Sequence, residues 1–268
     1  AQGSYEKRIP ERGHDELSEL AHNMNRMARA VEKNVRALED VAENRKRFID
    51  NLSHEMKTPL TSILGFSDLL QIKRDISEES RMEYAGIIKE EASRMRTLSG
   101  KLMELITVGE ANLEWKEADM AQLFEEIGIS LKVITDNHHM GFSCVSAPGT
   151  LCVDRELFKS LLYNLVDNAV KASEEGAHIQ VEGHFEREEF CIRVTDEGVG
   201  IPEGEVEKIT EAFYMVDKAR GRASGGAGLG LALCSEIISL HQGSLQFESR
   251  LGEGTSVLIR MKGGKCHA

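Results

Sequence analysis

A stripe of apolar residues near the start of the chain limits what the chain can fold into. Its members recur at spacings of three and four with charged residues between them: Leu17, Leu20, Met24, Met27, Val31, Val35 and Leu38. This spacing places them along one side of an α-helix, in the pattern of a coiled-coil seam. A single helix cannot bury such a stripe alone, so the sequence predicts a homodimer.

The helical pattern continues beyond this stripe and breaks once. Apolar positions recur at helical spacing over residues 45–70, and the polar segment 73–77 ends the helix. Ser77 is a suitable N-cap for a second helix, whose own apolar stripe covers residues 84–105. Two such hairpins, one from each chain, make a four-helix bundle, which agrees with the dimer.

The periodicity changes after Gly109. Short alternating runs predict strands at residues 140–145, 178–186, 189–195, 244–248 and 255–261. Helical stretches lie between them, at residues 119–137, 154–173 and 229–241. This alternation predicts an α/β layer with a mixed sheet that helices cover on one face.

His54, in the helical part of the chain, lies on the outward face of a predicted helix, which is an unusual position for a structural histidine. His54 is two positions from both Leu52 and Met56 of the apolar stripe, so helical geometry points its ring at solvent. Thr58 lies one turn further along the same outward face. Pro59 removes a backbone donor and bends or loosens the helix just past the histidine. An exposed histidine beside a glutamate is also typical of a solvated polar face, and both interpretations stand on these residues alone.

The α/β part contains four distinctive segments: one with two asparagines and a lysine, one with glycines after an aspartate, an aromatic pair, and a second one with glycines. They are residues 164–171, 196–200, 213–214 and 226–231. The Walker phosphate loop is absent, so phosphate needs another binding device. Glycines ahead of the apolar helix at 229–241 supply one, because a helix amino end binds anions through free N–H groups and its dipole.

In this order, residues 48–60 and the four later segments strongly resemble the conserved boxes of sensor histidine kinases of two-component systems. The resemblance covers nearly the whole chain. It implies an all-α coiled coil and dimeric four-helix bundle, followed by an α/β sandwich of the Bergerat (GHKL) ATP-binding fold. The implied domains are a HAMP-like remnant and coiled coil (1–44), a dimerisation and histidine phosphotransfer hairpin (45–110), and a catalytic ATP-binding domain (111–268). Residues 12–27 look like the second half of a HAMP linker, with an ordinary coiled coil as the alternative.

The resemblance implies a protein-histidine kinase. His54 would accept the γ-phosphoryl group of ATP and pass it to an aspartate of a response-regulator receiver domain. Glu55 would fix the imidazole tautomer or take its proton. Thr58 would orient water for the reverse reaction, dephosphorylation of the regulator, with an exposed threonine of no special role as the alternative.

The same resemblance implies a site for ATP and Mg²⁺. Its implied residues are Asn164, Asn168, Lys171, Asp196, Gly198, Gly200, Phe213, Lys218, Arg220, Gly226, Gly228, Leu229 and Gly230. Among them, Asp196 would accept from adenine N6, Asn168 would hold the metal, and Lys218 and Arg220 belong to a lid. Met215 stands where the family often has arginine, and Ala172 stands where an aromatic residue is common.

The charge balance and the apolar runs bear on partners and location. Lys plus Arg number 33 against 45 Asp plus Glu, a net charge of -12, which disfavours nucleic acid as a partner. No apolar run approaches the roughly 20 residues that cross a bilayer, so we expect a soluble, cytoplasmic chain. The HAMP resemblance implies a longer protein whose missing N-terminal sensor segment anchors it in the bacterial cell membrane.

Two other functional classes remain open from sequence. An ATP-driven clamp of the chaperone or topoisomerase type shares the nucleotide fold, but it leaves the histidine segment unexplained. A catalytically silent dimeric scaffold is favoured only if Met215 and Ala172 mark a decayed site.

Overall fold

The computed structural model describes residues 8–10, 16–72, 76–110, 113–187, 189–217 and 226–262. The chain divides into two compact units, residues 1–57 and 58–268. Two long helices come first, α1 (Glu16–Ile72) and α2 (Glu78–Glu110). Among the described residues, no helix has the length and apolar character that a membrane span requires.

The break between α1 and α2 lies where the sequence predicts it. Ser77 precedes α2, and its Oγ accepts a hydrogen bond from the backbone N–H of Ser80 at 3.2 Å. Such a cap satisfies one of the free donors at the start of a helix. The rings of Phe66 on α1 and Tyr84 on α2 have centroids 5.3 Å apart, so the end of α1 and the start of α2 pack as a hairpin.

In the first unit, residues 8–10 lie beside the part of α1 around residues 25–32. Asn25 Nδ2 donates to the carbonyl of Ile9 at 2.8 Å, and Ile9 N–H donates to Asn25 Oδ1 at 2.9 Å. Asn25 is only 4% exposed, so this reciprocal pair satisfies a buried amide. An ion pair between Arg8 and Glu32 adds a second attachment.

The apolar stripe of α1 is largely uncovered in one chain. Its exposed members range from Val31 at 37% to Met27 at 71%, and they include Leu20, Met24 and Leu38. Leu60 and Leu64, further along α1, are also exposed. A continuous apolar stripe of this kind indicates an interaction surface.

The remaining elements form the α/β layer. In chain order they are β1 (Lys116–Asp119), α3 (Met120–Asn137), β2 (Gly141–Ser146), β3 (Thr150–Val153), α4 (Arg155–Ala172), β4 (His178–Glu186), β5 (Glu189–Asp196), a 3₁₀ turn (Glu203–Glu205), α5 (Gly230–Leu240), β6 (Ser244–Arg250) and β7 (Gly254–Lys262). The main sheet has the order β2-β4-β5-β7-β6, with β2 parallel to β4 and the other pairs antiparallel. The predicted mixed sheet is therefore confirmed. Strands β1 and β3 pair antiparallel and are additional to the five predicted ones.

Helices α3, α4 and α5 cover one face of the main sheet. Alternate residues of β4 and β5, such as Ile179, Val181, Ile192 and Val194, are buried against them. Val108 near the end of α2 belongs to the same core and is 3% exposed. The last turns of α2 are thus packed onto the α/β layer.

We expect the exposed stripe of α1 to be a dimer seam. Replacing Val31 by Asp places a charge in that seam and should shift the full chain from dimer toward monomer in light scattering. Lys33→Asp, two residues away on the charged side of α1, is the matched control and should leave the mass unchanged. Equal masses for Val31→Asp and the parent chain would contradict a seam at this position.

Candidate active site

The histidine segment lies on α1. The side chains of His54 and Thr58 are exposed and that of Glu55 is half-buried, so His54 faces solvent as its position predicts. Pro59 is buried inside the helix and has no N–H. Pro59 therefore cannot make the usual helical hydrogen bond to residue 55, which weakens the helix directly beside His54.

Helix α4 places two asparagines in the α/β layer. Asp154 caps its amino end, because Asp154 Oδ1 accepts from the N–H groups of Glu156 at 3.1 Å and Leu157 at 3.2 Å. Asn164 is 8% exposed. Asn168 Nδ2 is buried and has no hydrogen-bond partner among the residues that the structure describes. A buried donor without a partner is costly, so this amide is suited to a ligand.

The amino end of α5 lies directly against these asparagines. A Cβ built on Gly230 would lie 3.3 Å from Asn168 Nδ2 and 3.4 Å from Asn164 Oδ1. Leu229, at the N-cap, makes no side-chain capping hydrogen bond. The first N–H groups of α5 are thus not taken by a side chain at that position, and together with the helix dipole they favour an anion.

A second glycine, Gly228, allows the loop before α5 to pack closely against the backbone of residues 213 and 214. Gly228 has φ +66°, and a Cβ there would lie 2.7 Å from the carbonyl carbon of Phe213 and 2.8 Å from the carbonyl oxygen of Tyr214. Phe213, itself at φ 68° and 6% exposed, donates its N–H to the carbonyl of Gly228 at 2.8 Å. The Phe213 segment and the start of α5 are therefore one packed unit.

Asp196 lies at the end of β5 and begins a turn whose backbone requires glycine at position 200. Its Oδ1 accepts from the N–H groups of Gly198 at 2.9 Å and Thr255 at 3.2 Å. A Cβ on Gly200, whose φ is +69°, would lie 2.0 Å from the carbonyl oxygen of Arg250. Burial raises the pKa of the Asp196 carboxyl, and the two backbone donors partly offset that rise.

Lys171 lies on the same helix as the asparagines and is already paired. Its Nζ donates to Asp167 Oδ2 at 2.7 Å, so its charge is partly offset within α4. A different lysine contacts one of the asparagines: Lys101 Nζ on α2 donates to Asn164 Oδ1 at 3.4 Å and lies 3.6 Å from Asp167 Oδ2. No motif in the sequence marks Lys101, because this contact joins residues 63 positions apart.

Sequence reasoning also missed His241, which joins the end of α5 to the start of α4. Its Nε2 accepts the N–H of Asp154 at 3.2 Å, and its Nδ1 lies 2.8 Å from the carbonyl of Ile237. Burial lowers the pKa of this imidazole. A neutral ring with its proton on Nδ1 satisfies both contacts and fixes the two helices that form the site.

The structure brings several of the candidate nucleotide residues together at the start of α5. Gly230 lies against Asn164 and Asn168, and Phe213 packs onto Gly228 in the loop that leads to Gly230. Asp196, Gly198 and Gly200 form a separate turn after β5. Gly226, also described, lies two residues ahead of Gly228 in the same loop. The candidate lid cations Lys218 and Arg220 lie outside the described residues.

This arrangement suits an adenine nucleotide. The N–H groups in the first turn of α5 and the helix dipole suit phosphate, the buried carboxylate of Asp196 suits an exocyclic amine, and the amide oxygens beside Gly230 suit a hard cation that bridges phosphates.

Family comparisons agree with this geometry. Residues 153–264 match the family described as histidine kinase-, DNA gyrase B- and HSP90-like ATPase. Residues 44–109 match the His Kinase A (phospho-acceptor) domain, and residues 1–33 match the HAMP domain.

A curated relative is the signal transduction histidine-protein kinase ArlS of Staphylococcus aureus (strain USA300). It is 32% identical over 253 residues, which cover 92% of this chain and 53% of ArlS. The chain thus spans about half the length of the curated relatives it matches.

Solved structures share the fold. The histidine kinase ThkA, in a crystal structure with the response regulator protein TrrA, has a TM-score of 0.65 and 24% identity, covering 85% of this chain and 66% of that chain. The Acinetobacter baumannii histidine kinase AdeS has a TM-score of 0.59 and 19% identity, covering 79% of this chain and 98% of that chain. The predicted helical region followed by a GHKL-type layer is confirmed.

Replacing Asp196 by Asn should separate nucleotide affinity from stability. Losing a charged acceptor costs about 1.5–3 kcal/mol, so ATP affinity by calorimetry should fall roughly 10- to 100-fold. Because the pKa of Asp196 is raised in the folded state, its ionised carboxylate lowers the free energy of unfolding at pH values above that pKa. The neutral amide of asparagine removes this loss. Its Oδ1 still accepts from the N–H groups of Gly198 and Thr255. Urea unfolding at pH 7 should therefore show equal or greater stability, and the difference should vanish as the pH falls through the carboxyl pKa. Undiminished ATP affinity would contradict the role of Asp196.

Proposed function

Since the chain belongs to the sensor histidine kinases of two-component systems, we propose that it phosphorylates itself on His54 with ATP and passes the group to a receiver-domain aspartate. The observation that carries the proposal is the exposed imidazole of His54, within the segment that matches the phospho-acceptor domain and beside a proline-interrupted turn.

The proposed first step is an in-line displacement. A neutral imidazole has one nitrogen lone pair, which attacks the γ-phosphorus as the bond from that phosphorus to the bridging oxygen of ADP breaks. The ring becomes cationic and releases the proton from its other nitrogen to the solvent or to Glu55. Because adjacent helical side chains diverge, Glu55 would act by a side-chain rotation toward the ring.

The packing at the start of α5 supports the proposed nucleotide roles. The first N–H groups of α5 would bind the phosphates, and Asp196, in the turn after β5, would accept from the adenine amine. Asn168, with Asn164 beside it, would hold Mg²⁺, which would spread the charge of the transferring phosphoryl oxygens. Lys171 would move from Asp167 to reach a phosphate.

The proposed second step transfers the phosphoryl group from His54 to an aspartate of a response regulator. Thr58, exposed one turn from His54, would hold the water that later hydrolyses the aspartyl phosphate. The ThkA structure contains a response regulator, which supports a receiver domain as the partner class.

The proposed molecule is a homodimer with the division 1–44, 45–110 and 111–268. The exposed stripe of α1 and the match to a phospho-acceptor domain support the dimer. The HAMP match and the likeness to ArlS support a longer protein that a preceding segment anchors to the bacterial membrane, with this part in the cytoplasm.

Replacing His54 by Gln should abolish phosphate incorporation from γ-labelled ATP. The wild-type label should be labile in acid and stable in alkali, as a phosphoramidate is. The matched control is His22→Gln on the same helix, which should label normally. Nucleotide affinity should be unchanged in His54→Gln, because this residue does not belong to the nucleotide site. Persistent labelling of that variant would remove His54 from the acceptor role.

The contact of α2 with α4 generates a second prediction. Lys101 contacts Asn164 and Asp167, and Glu104 Oε1 accepts from Ser160 Oγ. Partly exposed contacts of this kind contribute about 0.2–1 kcal/mol each, which is roughly up to fivefold in a population. We expect them to hold the ATP-binding layer on α2 and to oppose its release toward a phosphoacceptor histidine.

The double variant Lys101→Ala/Glu104→Ala should therefore autophosphorylate a few-fold faster under single-turnover conditions, with ATP affinity little changed. Lys159→Ala, which removes the ion pair with Glu156 within α4 and leaves the contacts of Lys101 and Glu104 in place, is the control. A slower rate in the double variant would mean that these contacts support transfer instead.

A further inference from the structure

Three metal-ligating side chains meet at the end of the β4–β5 hairpin. They are His184, Glu186 and Cys191, and they are called the hairpin cluster below. His184 is directly opposite Cys191 in the antiparallel register, and Glu186 is two residues beyond His184 on β4. Because strand residues alternate between faces, all three belong to one face of the sheet.

This face is the one that the helices leave uncovered. The neighbours of Cys191 on β5, Phe190 and Ile192, are buried in the core beneath the helices. Cys191 therefore projects the other way, between His184 on β4 and Arg260 on β7. His184 and Glu186 are exposed, whereas Cys191 is only 1% exposed.

The distances within the hairpin cluster are close to those of a metal site. One ligand atom from each residue, an imidazole nitrogen, a carboxylate oxygen and the thiol sulfur, lies within 4.8 Å of the other two. Cys191 Sγ is already 3.8 Å from Glu186 Oε2. Tetrahedral zinc with bonds of about 2.0–2.3 Å needs ligand atoms roughly 3.3–3.8 Å apart. Small side-chain rotations of the two exposed residues meet that requirement.

The donor types select the kind of ion. Thiolate and imidazole favour borderline-soft transition metals, whereas Mg²⁺ and Ca²⁺ prefer oxygen alone. Burial and the carboxylate of Glu186 raise the pKa of the Cys191 thiol, so a cation that binds here must displace the thiol proton. Glu189 faces Glu186 across the register and adds negative charge, while Arg260 supplies the opposing positive charge.

We propose that the hairpin cluster binds one Zn²⁺ ion through His184, Glu186 and Cys191, with water or the Glu189 carboxylate in the fourth position. Binding forms a metal–sulfur bond and releases the thiol proton to solvent. No redox step is involved, but the thiol must be reduced before the ion binds.

The site is separate from the candidate nucleotide site. Asp196 is five residues beyond Cys191 on β5, about 17 Å at the usual rise per residue, and its side chain lies on the opposite face of the sheet. Metal binding can therefore be measured without nucleotide, and its outcome is independent of the kinase proposal. Its physical consequence is a cross-link between β4 and β5, which stabilises the hairpin by an amount that rises with the logarithm of the free ion concentration above the Kd.

Cobalt(II) titration of the reduced full chain tests the proposal. One equivalent of Co²⁺ should produce a thiolate-to-cobalt charge-transfer band in the near ultraviolet, Zn²⁺ should abolish it, and Mg²⁺ in large excess should not. Cys191→Ser should remove the band. His184→Gln, which changes an exposed side chain and spares the core, should weaken Co²⁺ and Zn²⁺ binding by at least the roughly 10- to 100-fold that losing a supporting ligand partner costs.

The chain offers matched controls for both ligands. Cys144 is a free, half-buried thiol on β2, and His178 lies on the same face of β4 as His184. Cys144→Ser and His178→Gln should keep the band and the affinity. The proposal is overturned if the reduced parent chain gives no band, if the band persists in Cys191→Ser, or if His184→Gln binds as tightly as the parent.

Discussion

The close approach of the α5 amino end to the two asparagines of α4 is the constraint on which the proposed nucleotide site depends. Residue 230 is glycine, and any side chain there would occupy the space against Asn164 and Asn168. The contact places the first N–H groups of α5 beside an amide, Asn168 Nδ2, that has no partner among the described residues. His241 at the other end of α5 fixes the same pair of helices by accepting from Asp154. The site is thus defined by how two helices pack, with glycine where they come closest.

Helix α2 contacts the α/β layer through one buried apolar residue and through weaker polar side chains. Val108 is buried in the core of the α/β layer, and such burial contributes about 1.5–3 kcal/mol. The polar contacts of Lys101 and Glu104 with α4 are partly exposed and contribute about 1 kcal/mol or less each. The apolar contact therefore holds the layer beside the end of α2, while the polar contacts are weak enough to exchange during a reaction cycle.

Much of the fold follows from periodicity, and much of the site does not. The long apolar stripes predict α1 and α2, and alternation predicts the five strands of the main sheet with ends within a few residues. Strands β1 and β3 have four residues each, too few to show a period. The roles of glycines 198, 200, 228 and 230 were visible as motifs. Lys101, His241 and the hairpin cluster were not, because each depends on contacts that the tertiary packing or the strand register creates between distant or unremarkable positions.

Hydrogen exchange with and without MgATP tests the central claim most directly, because it reports on the α5 backbone donors themselves. The account predicts that nucleotide slows deuterium uptake in the peptide that contains Leu229 to Leu233 and in the turn from Asp196 to Gly200, with β6 unchanged. Bound nucleotide with unaltered uptake at the start of α5 would contradict the account.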